Sequence, residues 1–190
     1  MEKPNRLLYC YSQEQFDNLM KELGWTEPND KSSTVSICSP WNEGFDHWFK
    51  SGTPNNMNID CDDVVRPFWW KKDHYDEALK LYLDGETEKS NKFFNYYEED
   101  DKGRSINLRL LNYEQAFLLA SWINVQMLNG HDNFYVHCAA GLSRSQAVVR
   151  YIMDVYTDIH WKTRPTNPCT YYNNHMLLML KRAARNLQII

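Results

Sequence analysis

Residues 137–145, with the sequence HCAAGLSRS, constrain the fold of this chain more than any other stretch. The apolar run NFYV at 133–136 is typical of a buried strand, and apolar residues recur at helical spacing from Ser145 to Thr157. The sequence therefore predicts a strand, a short loop and a helix in direct succession, with Cys138 at the tip of the strand. Such a unit favours an α/β fold.

The residue types of this loop are suited to binding and attacking a phosphate group. A loop that leads from a strand into a helix points backbone N–H groups into one hollow, and the helix N-terminus adds partial positive charge. There, with a guanidinium nearby, the pKa of a cysteine falls to roughly 3.5–7.5, so Cys138 would be a nucleophilic thiolate. Arg144 can bind two phosphate oxygens, and Gly141 lets the backbone turn without filling the pocket. The alternative is that Cys138 is a small buried hydrophobic residue and Arg144 a surface charge.

The loop resembles the His-Cys-x5-Arg-Ser signature of the cysteine-based protein tyrosine phosphatases, and HCAAGLSRS is similar to their dual-specificity branch. The resemblance implies that Cys138 is the nucleophile, that Arg144 clamps the phosphate and that Ser145 assists thiolate formation or hydrolysis of the phosphoenzyme. It also implies that His137 supports the loop and the thiolate through hydrogen bonds. With Arg144, the other loop residues would bind the phosphate: Ala139, Ala140, Gly141, Leu142 and Ser143. The resemblance covers about residues 34–158 and is specific only around the loop.

A phosphatase of this kind also needs a general acid to protonate the leaving group. In the family the acid follows a strand of the form Ile-x-hydrophobic-x-Asp, and the sequence IDCDD at 59–63 matches that pattern at Asp63. Asp62 is the second choice, and both aspartates have the alternative role of solvating a turn. Asp63 lies 75 positions before the nucleophile, a longer separation than in typical small members. Two carboxylates in the intervening segment are therefore further candidates: Asp73 and Asp76.

We interpret residues 64–108 as an insertion beside the mouth of the site. Trp69 and Trp70 are expected either to form an aromatic wall for a phosphotyrosine ring or a base, or to anchor the insertion to the domain. Lys71 and Lys72 would attract phosphate. The acidic run at 98–101 is expected to be a solvated loop.

The remaining pattern predicts a single phosphatase domain over residues 1–190, with a central, mostly parallel sheet flanked by helices. Strands are predicted at 7–11, 34–39, 57–61 and 133–136. Helices are predicted from a cap at Ser12 to about Leu23, then at 73–83, from Asn112 to about Leu128, at 145–157, and from His175 to about Asn186. The short connection before the last helix contains Pro165 and Pro168.

Composition limits the function classes. The chain has 190 residues and a formal charge of −4, which gives no reason to expect a nucleic-acid partner. No apolar run approaches the roughly 20 residues that span a bilayer, and the N-terminus lacks the apolar core of a signal peptide. The cysteines number five and show no metal-like pairing, so we expect no metal, no cofactor and a reducing, cytoplasmic location.

Substrate class is the least constrained feature. Phosphotyrosine in a protein is the leading prediction, either as the sole substrate or together with phosphoserine and phosphothreonine. No lysine lies in the loop, which disfavours phosphoinositides, and the acidic balance disfavours RNA 5′-phosphates. A phosphatase-like binding module with little turnover is the alternative from another class. From the resemblance, Cys38, or failing it Cys61, is a candidate to form a reversible disulfide with oxidised Cys138.

Overall fold

A computed structural model describes residues 4–40, 46–64, 70–99, 103, 105–164 and 171–190 of the chain. Its strands are β1 (Asn5–Ser12), β2 (Ser32–Cys38), β3 (Asn56–Asp60), β4 (Asn95–Glu99), β5 (Ser105–Arg109), β6 (Asn133–Cys138) and β7 (His160–Arg164). Its helices are α1 (Gln13–Leu23), α2 (Lys72–Leu83), α3 (Thr87–Lys92), α4 (Tyr113–Leu128), α5 (Arg144–Val155) and α6 (Asn174–Asn186). Among these residues, no helix is long and apolar enough to cross a membrane.

The central sheet has five strands within the described part of the chain, in the order β3-β2-β6-β1-β7. All neighbouring pairs are parallel, which confirms the predicted α/β architecture with a parallel sheet flanked by helices. Cys138 is in register with Ser12 of β1 and Ile37 of β2. Because parallel strands end at the same edge, the loop after Cys138 lies beside the ends of β1 and β2.

Alternation along the strands separates two cores. Phe134, Val136 and Cys138 of β6 belong to the larger core, which also contains residues of α2, α4, α5 and α6. The intervening residues face α1, where a smaller cluster is built from Phe16, Met20 and Phe49. Residues one apart on a strand point to opposite faces, so each strand end supplies side chains to two different environments.

The predicted helix starts at Ser12 and Asn112 are confirmed. Each side chain accepts a hydrogen bond from the backbone N–H three residues on, and the side chain of the glutamine there accepts one from the backbone N–H of the cap residue, which completes a capping box. These caps satisfy N–H groups that would otherwise lack partners. The caps therefore fix α1 and α4 at their observed first residues.

The segment 64–108 contains more regular structure than predicted. Besides α2, it forms α3 and an antiparallel hairpin of β4 and β5. The expectation of a solvated loop at 98–101 is wrong for Glu98 and Glu99, which end β4, whereas residues 100 and 101 lie outside the described ones. The strand β7 was not predicted; it is an edge strand with alternating exposure, and its half-buried residues are Trp161 and Thr163. Pro165 and Pro168, which follow it, are likewise outside the described residues.

Candidate active site

Cys138 ends β6 and is almost fully buried. Its Sγ lies 3.2 Å from the hydroxyl of Ser145, which is in the first turn of α5. A hydroxyl at this distance can donate a hydrogen bond to a sulfur anion and so favour the thiolate. The structure thus brings together the predicted nucleophile and the serine predicted to assist it.

Gly141 is the residue that lets the loop lie against the end of β1. Its φ of +71° is in the left-handed region, and a Cβ at this position would lie 2.6 Å from the backbone nitrogen of Ser12. The loop is held there by two hydrogen bonds. The N–H of Gln13 donates to the Ala139 carbonyl (3.1 Å), and the Gln146 amide donates to the Gly141 carbonyl (3.2 Å). Carbonyl groups of the loop are therefore turned toward the protein.

Backbone N–H groups of the same loop have no such partners. Within the described part of the chain, none of the N–H groups of residues 139–143 donates a hydrogen bond. Ser143 precedes α5, but its side chain does not cap the helix. Donors that have no protein acceptor at the start of a helix are available to an anion. The predicted phosphate-binding residues Ala139, Ala140, Gly141, Leu142 and Ser143 thus form one connected loop.

Arg144 is the first residue of α5 and only 4% exposed. Its Nη1 donates to the carbonyl oxygen of Cys61 at 2.6 Å. Its Nε is buried and has no hydrogen-bond partner among the described residues. A buried, charged donor without an acceptor is costly, by about 1–3 kcal/mol or more, so its place suits an anionic ligand.

Asp63 follows β3 and is linked directly to the loop. Its Oδ1 accepts hydrogen bonds from the Ser143 hydroxyl at 2.7 Å and from the Asn173 amide at 3.0 Å. Unlike the residues around it, Asp63 is solvent-exposed. The structure therefore places an exposed carboxylate at the rim of the loop, in a position where proton exchange with a ligand and with water is possible.

The other carboxylates considered from the sequence have different partners. Asp62 is buried, accepts a hydrogen bond from the N–H of Arg109 (2.8 Å) and another from the hydroxyl of Ser39. It therefore ties the end of β3 to β5. Asp76 pairs with Arg182 of α6 at 2.6 Å, and Asp73 is exposed in the first turn of α2. Among the described residues, Asp63 is therefore the one candidate for the general acid that forms a side-chain hydrogen bond with the loop.

Asn173 is a site residue whose role the sequence did not reveal. Its Oδ1 caps α6 by accepting from the N–H of Met176. Its Nδ2 donates to Asp63, and its backbone N–H donates to the carbonyl of Ser143 at 3.2 Å. An asparagine that caps a helix uses only its side-chain oxygen for the cap. Its side-chain NH₂ group is then available to donate to another residue, and this was the one indication of a second contact in the sequence.

His137 does not make the hydrogen bonds that the resemblance implies. It is fully buried, and neither ring nitrogen has a partner among the described residues. The ring instead stacks on Phe16 of α1 with 4.0 Å between centroids. Strand alternation explains the difference, because His137 points to the face opposite Cys138. Burial lowers the pKa of His137 to about 3, so the imidazole is neutral.

No family model, no curated protein and no solved structure matches this chain.

Cys10, which was not predicted as a site residue, shares a hydrogen-bond partner with Cys138. The Sγ of Cys10 lies 3.2 Å from the Ser145 hydroxyl, and Cys138 is at the same distance from that oxygen. Cys38, predicted as a disulfide partner, is one residue beyond Ile37, the register partner of Cys138, and therefore faces α1. Its recorded contacts are all on that face, which argues against a disulfide with Cys138. For the second choice, Cys61, burial raises the pKa of the thiol to about 12.

Trp70 does not form an aromatic wall. It is buried in the larger core and lies edge-on to Tyr75 and Phe94, so it anchors the segment to the domain. Trp69 lies outside the described residues, and Lys71 and Lys72 are exposed at the start of α2.

A cavity of about 730 Å³ adjoins the loop on the side of β1 and β7. Its walls include Tyr11, Leu142, Gln146 and the exposed Arg164. Elsewhere in the described residues, no group of three histidine, cysteine or acidic side chains is arranged to hold a metal ion.

Proposed function

We propose that this protein is a cysteine-dependent phosphatase of the dual-specificity type, which hydrolyses phosphotyrosine and also phosphoserine and phosphothreonine in proteins. The observation that carries the proposal is the buried Arg144 at the start of the helix that follows Cys138, because its Nε has no acceptor among the described residues. The N–H groups along 139–143, which also have no acceptor in the described part of the chain, support the same conclusion. A phosphate dianion would satisfy both sets of donors.

In the first step, the Cys138 thiolate attacks phosphorus while the bond to the leaving oxygen breaks. Asp63, in its protonated form, gives its proton to that oxygen, and a phosphocysteine remains. In the second step, the Asp63 carboxylate takes a proton from water, which attacks phosphorus and releases inorganic phosphate and the thiolate. Arg144 and the loop N–H groups hold the equatorial oxygens through both steps.

The contacts of Asp63 are consistent with these two roles. Ser143 and Asn173 both donate to Oδ1, which leaves Oδ2 without a recorded partner in the described chain and able to carry the proton. The cavity beside the loop provides room for residues that flank the phosphorylated side chain, which supports a protein substrate. A thiolate nucleophile also requires reducing surroundings, such as the cytoplasm.

The test is phosphate release from 4-nitrophenyl phosphate and phenyl phosphate, in reductant and without added metal. Cys138→Ser should abolish turnover of both compounds. Asp63→Asn should lower kcat about 10²–10⁴-fold for phenyl phosphate and less for 4-nitrophenyl phosphate, whose leaving group scarcely needs a proton. Asp76→Asn and Cys38→Ser are matched controls, because those side chains lie away from the loop, and both should retain activity.

Two outcomes would contradict the proposal. If Cys138→Ser is as active as the wild type, the nucleophile is wrong. If the reduced, folded wild type releases no phosphate but binds a phosphotyrosine peptide, the protein is a binding module. Phosphopeptides that carry tyrosine, serine or threonine then distinguish a tyrosine phosphatase from a dual-specificity enzyme.

A further inference from the structure

A second cluster of reactive side chains lies on the face of the sheet opposite Cys138. It contains Cys38 and Ser36 of β2, His47, and Asp60 at the end of β3, and we call it the Cys38 cluster. The Nδ1 of His47 is 2.6 Å from the Ser36 hydroxyl and 3.5 Å from the Sγ of Cys38. The Nε2 of the same ring is 2.9 Å from Oδ1 of Asp60.

This order of groups, a thiol next to an imidazole that a carboxylate orients, is the arrangement that activates a cysteine nucleophile. The carboxylate holds the ring with Nδ1 turned toward the sulfur and stabilises the imidazolium. The Ser36 hydroxyl lies 3.8 Å from the Sγ of Cys38 and can support a sulfur anion. Burial lowers the pKa of His47, but hydrogen bonds and charges from Asp60 and Cys38 outweigh it and raise the pKa to about 9.

The surroundings of the cluster select its reaction partner. Cys38 is only 5% exposed, whereas the Asp60 side chain is 65% exposed and opens the cluster to solvent. Three carboxylates lie around the cluster, those of Asp60, Asp46 and Asp17, but Asp60 also interacts with Arg109 and Asp17 with Lys21. Asp46 accepts the N–H of His47, and Asp17 of α1 accepts the amide of Gln13, which also contacts Cys38. A large substrate could not reach the buried sulfur of Cys38, so a small molecule fits best.

We propose that Cys38 is a second reactive thiolate, independent of Cys138, and that a hydroperoxide such as H₂O₂ oxidises it to the sulfenic acid. The sulfur attacks one peroxide oxygen, so that an S–O bond forms as the O–O bond breaks. The leaving hydroxide takes the proton from Nδ1 of His47 and departs as water, which leaves a neutral imidazole. Sulfur is oxidised by two electrons and the peroxide is reduced by two.

The proposal can be tested in the 190-residue Cys138→Ser chain, which removes the other nucleophile. Folded protein is exposed to H₂O₂ for set times, the peroxide is destroyed, and the remaining thiols are alkylated after denaturation and quantified by peptide mass spectrometry. We expect Cys38 to be lost first, with a product one oxygen heavier. Cys61 should remain, because its thiol stays protonated.

His47→Gln should slow the oxidation of Cys38 at pH 7 at least about tenfold, because an unassisted cysteine is only a few per cent thiolate there. Asp60→Asn should slow it less. The matched control is His131→Gln, since His131 also bonds a β2 serine, Ser33 at 2.9 Å, and has no recorded contact with Cys38. In His131→Gln, Cys38 should be oxidised at the same rate as in the Cys138→Ser chain.

The pH profile separates activation from mere exposure. With the His47 imidazolium present, the rate of Cys38 oxidation should be nearly constant from pH 6.5 to 8, whereas an ordinary thiol with a pKa near 8.5 reacts faster as pH rises. The charged and titratable neighbours are Asp46, Asp60 and Asp17, together with buried His137 of β6, and Arg109 and Lys21 interact with Asp60 and Asp17. His137 stays neutral in this range because burial lowers its pKa, and the hydrogen bond from His47 lowers the pKa of Asp60, so His47 and Cys38 set the profile.

The proposal is wrong if Cys38 stays unmodified at peroxide concentrations that oxidise a small-molecule thiol. It is also wrong if Cys38 is oxidised at the same rate with and without the substitution His47→Gln in the Cys138→Ser chain. Neither result depends on phosphatase activity, since the assay follows the mass of one peptide.

Discussion

Replacement of Gly141 by alanine tests whether the loop must lie as close to β1 as the structure shows. An alanine Cβ at this position would be 2.6 Å from the nitrogen of Ser12, and 2.7 and 2.9 Å from the carbonyl carbon and oxygen of Tyr11. All three are backbone atoms of a strand inside the sheet, so they cannot rotate away. The left-handed φ costs about 1–2 kcal/mol for an alanine, and overpacking adds about 1–3 kcal/mol. We therefore expect Gly141→Ala to lose about 3 kcal/mol of unfolding free energy.

Gly24→Ala is the matched control. Gly24 has a similar φ of +64°, but nothing lies within 4 Å of a Cβ there. It should lose only the conformational term, about 1 kcal/mol. Urea unfolding gives both free energies, and in a chain of this size 1 kcal/mol corresponds to about 2–4 °C in Tm. Gly141→Ala should also lower phosphate release more than Gly24→Ala. Equal losses of stability in the two variants would refute the close approach of the loop to β1.

Three further variants test groups around the site. The wild type should lose stability on acidification, because His137 takes up a proton below about pH 6.5 in the unfolded chain but only near pH 3 in the folded one. This difference lowers the free energy of unfolding by about 2 kcal/mol at pH 5. His137→Phe should remove that loss, which urea unfolding at pH 5 and pH 7 measures. The raised pKa of His47 stabilises the folded chain fully below about pH 6.5, and this stabilisation is lost as pH rises through about 9. Because Asp60 is exposed, we expect the stabilisation to be only about 1–2 kcal/mol. His47→Gln should remove it, which is measured as the difference in unfolding free energy between pH 6.5 and pH 10. Asp62→Ala should lower the free energy of unfolding by about 2–4 kcal/mol, because it leaves buried hydrogen-bond donors unpaired. Asp63→Asn should lower it by less than about 1 kcal/mol, because Asp63 is exposed. Similar losses in the two variants would contradict the burial of Asp62 and the exposure of Asp63.

The sequence was most informative where local rules act alone. Capping boxes at Ser12 and Asn112 predicted the starts of α1 and α4, because a cap needs only residues close in sequence. The apolar run at 133–136 predicted the buried strand β6 for the same reason. The fold class followed from these elements, since a parallel sheet requires helical connections.

Features that depend on distant residues were the ones missed. The strand β7 is held by its register with β1, from Asn5 opposite His160 to Tyr9 opposite Arg164. In the hairpin of β4 and β5, the end of β4 at Glu98 and Glu99 belongs to an acidic stretch that resembles a loop by composition alone. Cys10 gave no signal either, because its proximity to Ser145 arises only when β1 and β6 pair in register.

The position of Arg144 shows why part of the candidate site is invisible in any sequence. Its Nη1 is held by the carbonyl of Cys61, and the N–H of Cys61 is held in turn by the carbonyl of Cys38 at 3.0 Å. Both acceptors are backbone atoms that every residue type carries, so no pattern of side chains predicts them. The same two hydrogen bonds connect the end of β2, where the Cys38 cluster lies, to the guanidinium beside Cys138. The thiols of Cys38 and Cys138 thus lie on opposite faces of the sheet, yet hydrogen bonds through the backbone of Cys61 connect the surroundings of one to those of the other.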